Sequence, residues 1–191
     1  MLFRSKADGL TIYVGSANEI DPVRSRSSVA QYDLKKINFI GGNVRTPLVT
    51  VISKDAKRRL YDRAGVPVAM GTVGFPRSSA QMAAWGFEYL GWHGKWVTGY
   101  KGTTEVAEAL ERGEVDMIAG NTNQEDVPRH IKTGKFEVLA IAGAAPPGVT
   151  LLPEFAAAPP LSDLLAGKLH DPIAVAAFEY WLTMGSIDKW F

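Results

Sequence analysis

The chain has 191 residues and a mass of 20.7 kDa; 46% of its residues are hydrophobic, 21% are charged, and its formal net charge is +1. That is enough chain to bury a core in one or two domains, with an ordinary globular balance. The near-neutral charge argues against a nucleic-acid groove, the absence of cysteine excludes disulfides, zinc–thiolate sites and thiol nucleophiles, and no run approaches the ~18 apolar residues of a membrane span.

Met1–Gly9 (MLFRSKADG) has neither the apolar stretch nor the small-residue cleavage site of a secretory signal. Leu10–Gly15 (LTIYVG) reads as a strand, and the polar Ser16–Ser28, with Pro22, Arg24 and Arg26, as a solvated loop. Tyr32–Lys36 leads into a short strand over Asn38–Gly42, which Gly41 and Gly42 end in a plain turn; the G-x-x-x-x-G-K-[ST] phosphate pattern is absent. Leu48–Ser53 (LVTVIS) has the β-branched, apolar composition of a buried strand. Lys54–Ala64 (KDAKRRLYDRA) reads as a short basic helix whose Lys57, Arg58, Arg59 and Arg63 form a solvated face.

Pro67–Gly71 (PVAMG) reads as a strand running into the loop Gly71-Thr72-Val73-Gly74-Phe75-Pro76, with a helix starting near Arg77 or Ser78. Glycines allow φ > 0 and close approach of the backbone to a ligand. Pro76 suits the start of a helix. Free N–H groups at that start, with the hydroxyls of Thr72, Ser78 and Ser79, suit a carboxylate or phosphate, and Arg77 can pair with a carboxylate bidentately. Many strand–helix turns look like this and bind nothing. The aromatic-rich helix Ser79–Leu90 reads as core, and His93, in the turn Gly91–Gly94, as a surface or structural residue. Neither His130 nor His170 has a spacing to it that suggests a metal site. No metal or cofactor is expected.

Val97–Asn121 (VTGYKGTTEVAEALERGEVDMIAGN) has the pattern of a strand–helix–strand unit. Lys95–Tyr100 alternates as a strand does. Thr103 or Thr104 can cap a helix, Glu105 suits its first turn, and Gly113 its stop. Val106, Ala107, Ala109 and Leu110 share one face. Val115–Ala119 suits a buried parallel strand, with Asp116 buried and hydrogen-bonded rather than a general base. The loops after these strands, carrying Tyr100, Gly102 and Thr103 and then Asn121, fall at the carboxyl edge of a sheet, where ligands bind in open parallel folds. Val127–Thr133 follows as a helix with Ile131 inward, Phe136–Ala142 as a strand, and Asp171–Gly185 as a helix packed on a sheet. Alternation of strands and helices predicts an α/β fold with a mainly parallel sheet.

Five stretches carry a family resemblance, in the family's order. Tyr100–Asn121 resembles the segment Y-[KP]-G-[ST]-x-E-x-x-x-A-x-x-x-G-E-[VI]-D of tripartite tricarboxylate transporter receptors, the Bug proteins. Asp8–Ile12 (DGLTI), Tyr32–Ile40 (YDLKKINFI), Met70–Ala84 (MGTVGFPRSSAQMAA) and Val127–Gly143 (VPRHIKTGKFEVLAIAG) resemble its other segments. The resemblance implies a periplasmic-binding-protein type II fold, with 1–35 a partial first lobe, 36–143 the solute-binding second lobe and 144–191 the return to the first. It implies an extracytoplasmic, non-enzymatic receptor that passes a small carboxylate to membrane transporter subunits, without nucleic acid. It also implies that Gly71, Thr72, Val73, Gly74 and Ser78 grip the solute with Tyr100, Gly102, Thr103 and Asn121; Phe75 and Arg77 depart from the family, which often has small residues there, and Arg77 joins the site through its own chemistry. The family's signal, first glycine-rich ligand loop and closing helices have no match, so the sequence reads as a fragment of uncertain compartment. Apolar surface over Ile173–Trp181 is then expected to drive self-association. The alternatives are a cytoplasmic ligand-sensing or partner-binding domain on the same lobe fold, and an α/β enzyme. The enzyme finds no G-x-S-x-G, Rossmann glycine or H-E-x-x-H pattern.

Overall fold

The computed structural model describes residues 14–15, 33–75, 77–185 and 187–190. The expected loop over Ser16–Ser28 and most of the strand expected over Leu10–Gly15 lie outside the described residues. The chain divides into two compact units, residues 1–45 with 183–191, and residues 46–182. In the first unit, a 3-10 turn covers Leu34–Lys36, and strand β1 (Gly42–Val44) pairs antiparallel with β7 (Ile187–Trp190). The expected strand over Asn38–Gly42 is displaced: the strand begins at Gly42, and Phe39 and Ile40 are exposed.

The second unit holds a five-stranded sheet in the order β4-β3-β5-β2-β6, formed by β2 (Leu48–Ser53), β3 (Val68–Gly71), β4 (Gly94–Val97), β5 (Met117–Asn121) and β6 (Phe136–Ala142). β3 runs parallel to β4 and β5, whereas β2 lies antiparallel between β5 and β6. The sheet is therefore α/β with four strands pointing one way and one reversed. A strand buried on both faces reads as a continuous apolar run in either direction, so the sequence of β2 does not reveal its orientation.

Side chains alternate between the two faces of the sheet. Leu48 and Ile52, Val68 and Met70, Met117, and Ala140 and Ala142 point into one core. Val49 and Val51, Ala69, Ile118 and Ile141 point into the other. Helices α2 (Ser78–Tyr89), α6 (Leu161–Leu165) and α7 (Pro172–Gly185) contribute to the first core through Met82, Ala83, Leu161, Leu165, Phe178 and Trp181. Helices α3 (Thr103–Glu111), α4 (Asp126–Lys132) and α5 (Pro153–Ala156) contribute to the second through Val106, Leu110, Val127, Ile131 and Phe155. Residues 153–182, expected in the return to a first lobe, thus belong to the same unit as the sheet. Phe178 and Trp181 are buried, so the exposed large apolar side chains of α7 are Ile173 and Val175 rather than the whole stretch expected.

The basic helix is shorter than expected. Helix α1 covers Lys54–Lys57, and turns follow. After Lys57 the N–H groups of Arg59, Leu60 and Asp62 bond three residues back rather than four, as in turns, and Asp62 Oδ1 then accepts from the backbone N–H groups of Ala64 and Gly65. Arg59 then folds inward instead of joining a solvated face. Its Nη2 lies 2.7 Å from Asp116 Oδ1, and its Nη1 donates to the carbonyls of Val66 and Pro67. Asp116 Oδ2 also accepts from the Ala69 N–H at 2.9 Å, as expected of a carboxylate engaged by hydrogen bonds.

Candidate functional site

At the carboxyl ends of β3 and β5 lies a cavity of about 20 Å³, walled by the β3–α2 loop, the starts of α2 and α3, and the β5–α4 connection. Five of the ten residues singled out in the sequence line it: Gly71, Thr72, Val73, Arg77 and Thr103. Gly74, Ser78, Tyr100, Gly102 and Asn121 lie beside these in the same loops but do not line it. A cavity of this size holds about one water molecule. It suits the end group of a ligand, not a whole dicarboxylate.

The β3–α2 loop is built differently from the glycine reasoning. Neither Gly71 nor Gly74 adopts positive φ. A Cβ on Gly71 would lie 3.0 Å from Val106 and 3.1 Å from Val115, so this glycine admits the second core rather than a ligand. Thr72 is buried, its N–H donates to the Val97 carbonyl, and its Oγ1 accepts from the Gly74 N–H at 3.2 Å. These donors hold the loop. Val73 N–H makes no hydrogen bond among the described residues. In α2 the first intrahelical bond runs from Gln81 N–H to the Arg77 carbonyl. The N–H groups of Ser79 and Ala80 precede that bond and have no partner within the helix. Arg77 is exposed and has no carboxylate partner among the described residues.

Helix α3 starts without the expected threonine cap. Gly102 is its N-cap residue, and no side chain bonds there. Glu105 Oε2 reaches back to accept from the Lys101 N–H at 2.8 Å, in the manner of a capping box. The hydroxyl and N–H of Thr103, at the cavity, are thereby left out of any side-chain cap. Gly113 ends α3 with φ of +75°, as the sequence predicts. Tyr100 packs against the second core; burial pushes its phenol above the usual value, the Glu114 carboxylate adds to the rise, and Arg112 opposes it. Tyr100 is thus a neutral hydroxyl at ordinary pH. Behind the cavity, buried His130 on α4 donates from Nε2 to the carbonyl of cavity-lining Ala107 at 3.1 Å, fixing α4 to α3.

Ser79, named in the sequence for its hydroxyl, also lines the cavity; sequence reasoning missed two polar lining residues, Gln124 and Asp126. The signal for Gln124 is its spacing from Asn121, the three-residue offset of a capping box. A larger groove of about 470 Å³ lies by the start of β6, with Lys54, Glu137 and Glu154 as its charged lining. Two carboxylates against one ammonium, itself beside a Lys57–Glu137 pair, do not suit an anion.

No family model matches the sequence, and no curated protein matches it. Solved structures share its fold. A periplasmic binding protein, BugD, aligns with a TM-score of 0.61 at 18% identity over 96% of this chain and 66% of its own length. An R. palustris protein solved with adipate aligns at 0.60 and 15% identity, over 95% of this chain and 65% of its own length. A TctC solute-binding protein from Polaromonas aligns at 0.56 and 15% identity, over all of this chain and 73% of its own. The fold is that of Bug- and TctC-type periplasmic binding proteins, and the chain spans about two thirds of the length of BugD and of the adipate-bound protein.

Proposed function

We propose that this chain is part of an extracytoplasmic solute-binding receptor for a small carboxylate, which it passes to a tripartite tricarboxylate-type membrane transporter. The observation that carries the proposal is the cavity at the carboxyl edge of the sheet, where Arg77, Ser79, Thr103 and Val73 bring positive charge and helix-start donors together. The shared fold with solute-binding proteins supports a receptor rather than an enzyme, and the adipate in one of them supports a carboxylate ligand. Helix starts favour an anion by roughly 0.3–1 kcal/mol each when exposed. Hydrogen bonds to a charged group supply about 1.5–3 kcal/mol each. The small cavity grips one end group, so this chain binds weakly, with Kd near millimolar, about −4 kcal/mol.

Calorimetry with mono-, di- and tricarboxylates tests this. Arg77→Ala is expected to weaken carboxylate binding by about tenfold or more, the equivalent of one charge-assisted hydrogen bond. Because Arg77 is exposed, the unfolding free energy should stay within about 0.5 kcal/mol of the wild type. Equal affinity of Arg77→Ala and wild type for every carboxylate would remove Arg77 from the site. Absence of binding to any of them would remove the proposal.

A further inference from the structure

The geometry points to Gln124 as a ligand-binding residue that donates a hydrogen bond from its side-chain amide to an oxygen of the bound solute. This rests on the carboxylate-receptor reading above. Gln124, in the β5–α4 connection, lines the cavity together with residues of the β3–α2 loop. Its backbone and side chain close a reciprocal turn with Asn121. Gln124 N–H donates to the Asn121 carbonyl at 3.0 Å, and Asn121 N–H donates to Gln124 Oε1 at 3.1 Å. Orientation of a glutamine amide is ordinarily ambiguous, but a backbone N–H can be met only by the oxygen. The amide is therefore fixed, and what it has left to offer is its NH2 group, with two donors.

The fixed amide lies over a glycine. A Cβ on Gly120 would stand 2.8 Å from Gln124 Oε1 and 2.9 Å from Val127, so only glycine leaves the amide where it is. Asp126, the charged side chain on this wall, offers only acceptors and is paired with Arg129 at 3.0 Å. Gln124 is thus the side-chain donor that this wall presents to an anion. A neutral, preorganised donor lining the same small cavity as Arg77 suits a single carboxylate, with one oxygen for each of the two residues.

The experiment uses adipate and acetate as probes, with NMR detection of the Gln124 side-chain amide and calorimetric affinities. In the wild type, the two side-chain N–H signals of Gln124 should move downfield as carboxylate is added. Gln124→Glu keeps an oxygen to accept from Asn121 N–H but removes the donors, and should lower affinity about tenfold or more. Its thermal unfolding and its Asn121 amide shift should be unchanged. Gln124→Met, which carries no added charge, should lose a similar factor, separating the missing donor from simple repulsion. Carboxylate binding with unmoved Gln124 side-chain signals, and with both variants at wild-type affinity, overturns this inference and leaves the receptor reading standing. A wild-type chain that binds neither probe overturns both.

Discussion

Arg59 and Arg77 sit at opposite edges of the same sheet, and their surroundings differ. At the amino edge of β3 and β5, Arg59 is spent: it holds Asp116 at 2.7 Å and bonds the carbonyls of Val66 and Pro67, while Asp116 also takes the Ala69 N–H. At the carboxyl edge, Arg77, the Val73 N–H and the Gln124 NH2 group have no counterpart of that kind among the described residues. Polar groups near a core are ordinarily satisfied. A sheet edge that satisfies its charges is structural, and one that leaves donors unspent around a cavity is where a ligand belongs. Both arginines stand near a strand–helix connection in the sequence, so the residue type alone does not separate these roles.

The largest expected effect breaks the amino edge. Asp116→Ala leaves Arg59 and the Ala69 N–H without their acceptor. The pair is about one quarter exposed, with side-chain exposures of 27% for Arg59 and 22% for Asp116, so solvent screens part of the loss. Denaturant unfolding should show a destabilisation of roughly 1–3 kcal/mol with carboxylate affinity unchanged in the folded fraction. A loss of affinity without a loss of stability would reverse the roles of the two edges.

A smaller effect sharpens the boundary between loop structure and ligand donor. The Thr72 hydroxyl accepts from Gly74 N–H and lies in a buried residue. Thr72→Val should cost roughly 0.5–1.5 kcal/mol of stability, the worth of one such hydrogen bond, and should weaken carboxylate binding only through loosening of the loop. If Thr72→Val leaves stability untouched and abolishes binding, the hydroxyl is a direct donor and the loop account fails.

Much of this arrangement was legible in the residues. The buried run of β2, the apolar faces of α3 and α4, the strand Phe136–Ala142 and the stop at Gly113 follow from period, composition and glycine placement alone. Placement of the Gly71 loop and the Thr103 helix start at one sheet edge was legible too, because successive parallel strands carry their following loops to the same side. What escaped depends on partners distant in sequence. Arg59 meets Asp116 across 57 residues, so a basic run looks solvated until the fold closes. Gly71 is small because Val106 and Val115 crowd it, not because a ligand does. Gln124 was overlooked because a polar residue in a polar loop, NTNQED, carries no periodic signal; its role comes from one hydrogen bond to Asn121.

Amide-resolved NMR titration of the 191-residue chain with adipate tests the central claim most directly, that the unspent carboxyl edge is the ligand site. Backbone shifts should concentrate at Val73, Ser79, Ala80 and Thr103, saturating with Kd near millimolar, about −4 kcal/mol. The amides around Arg59 and Asp116, and those of the Lys54–Glu137 groove, should stay still. Shifts centred on that groove, or saturable binding with no change at Val73, Ser79 or Thr103, would contradict the account.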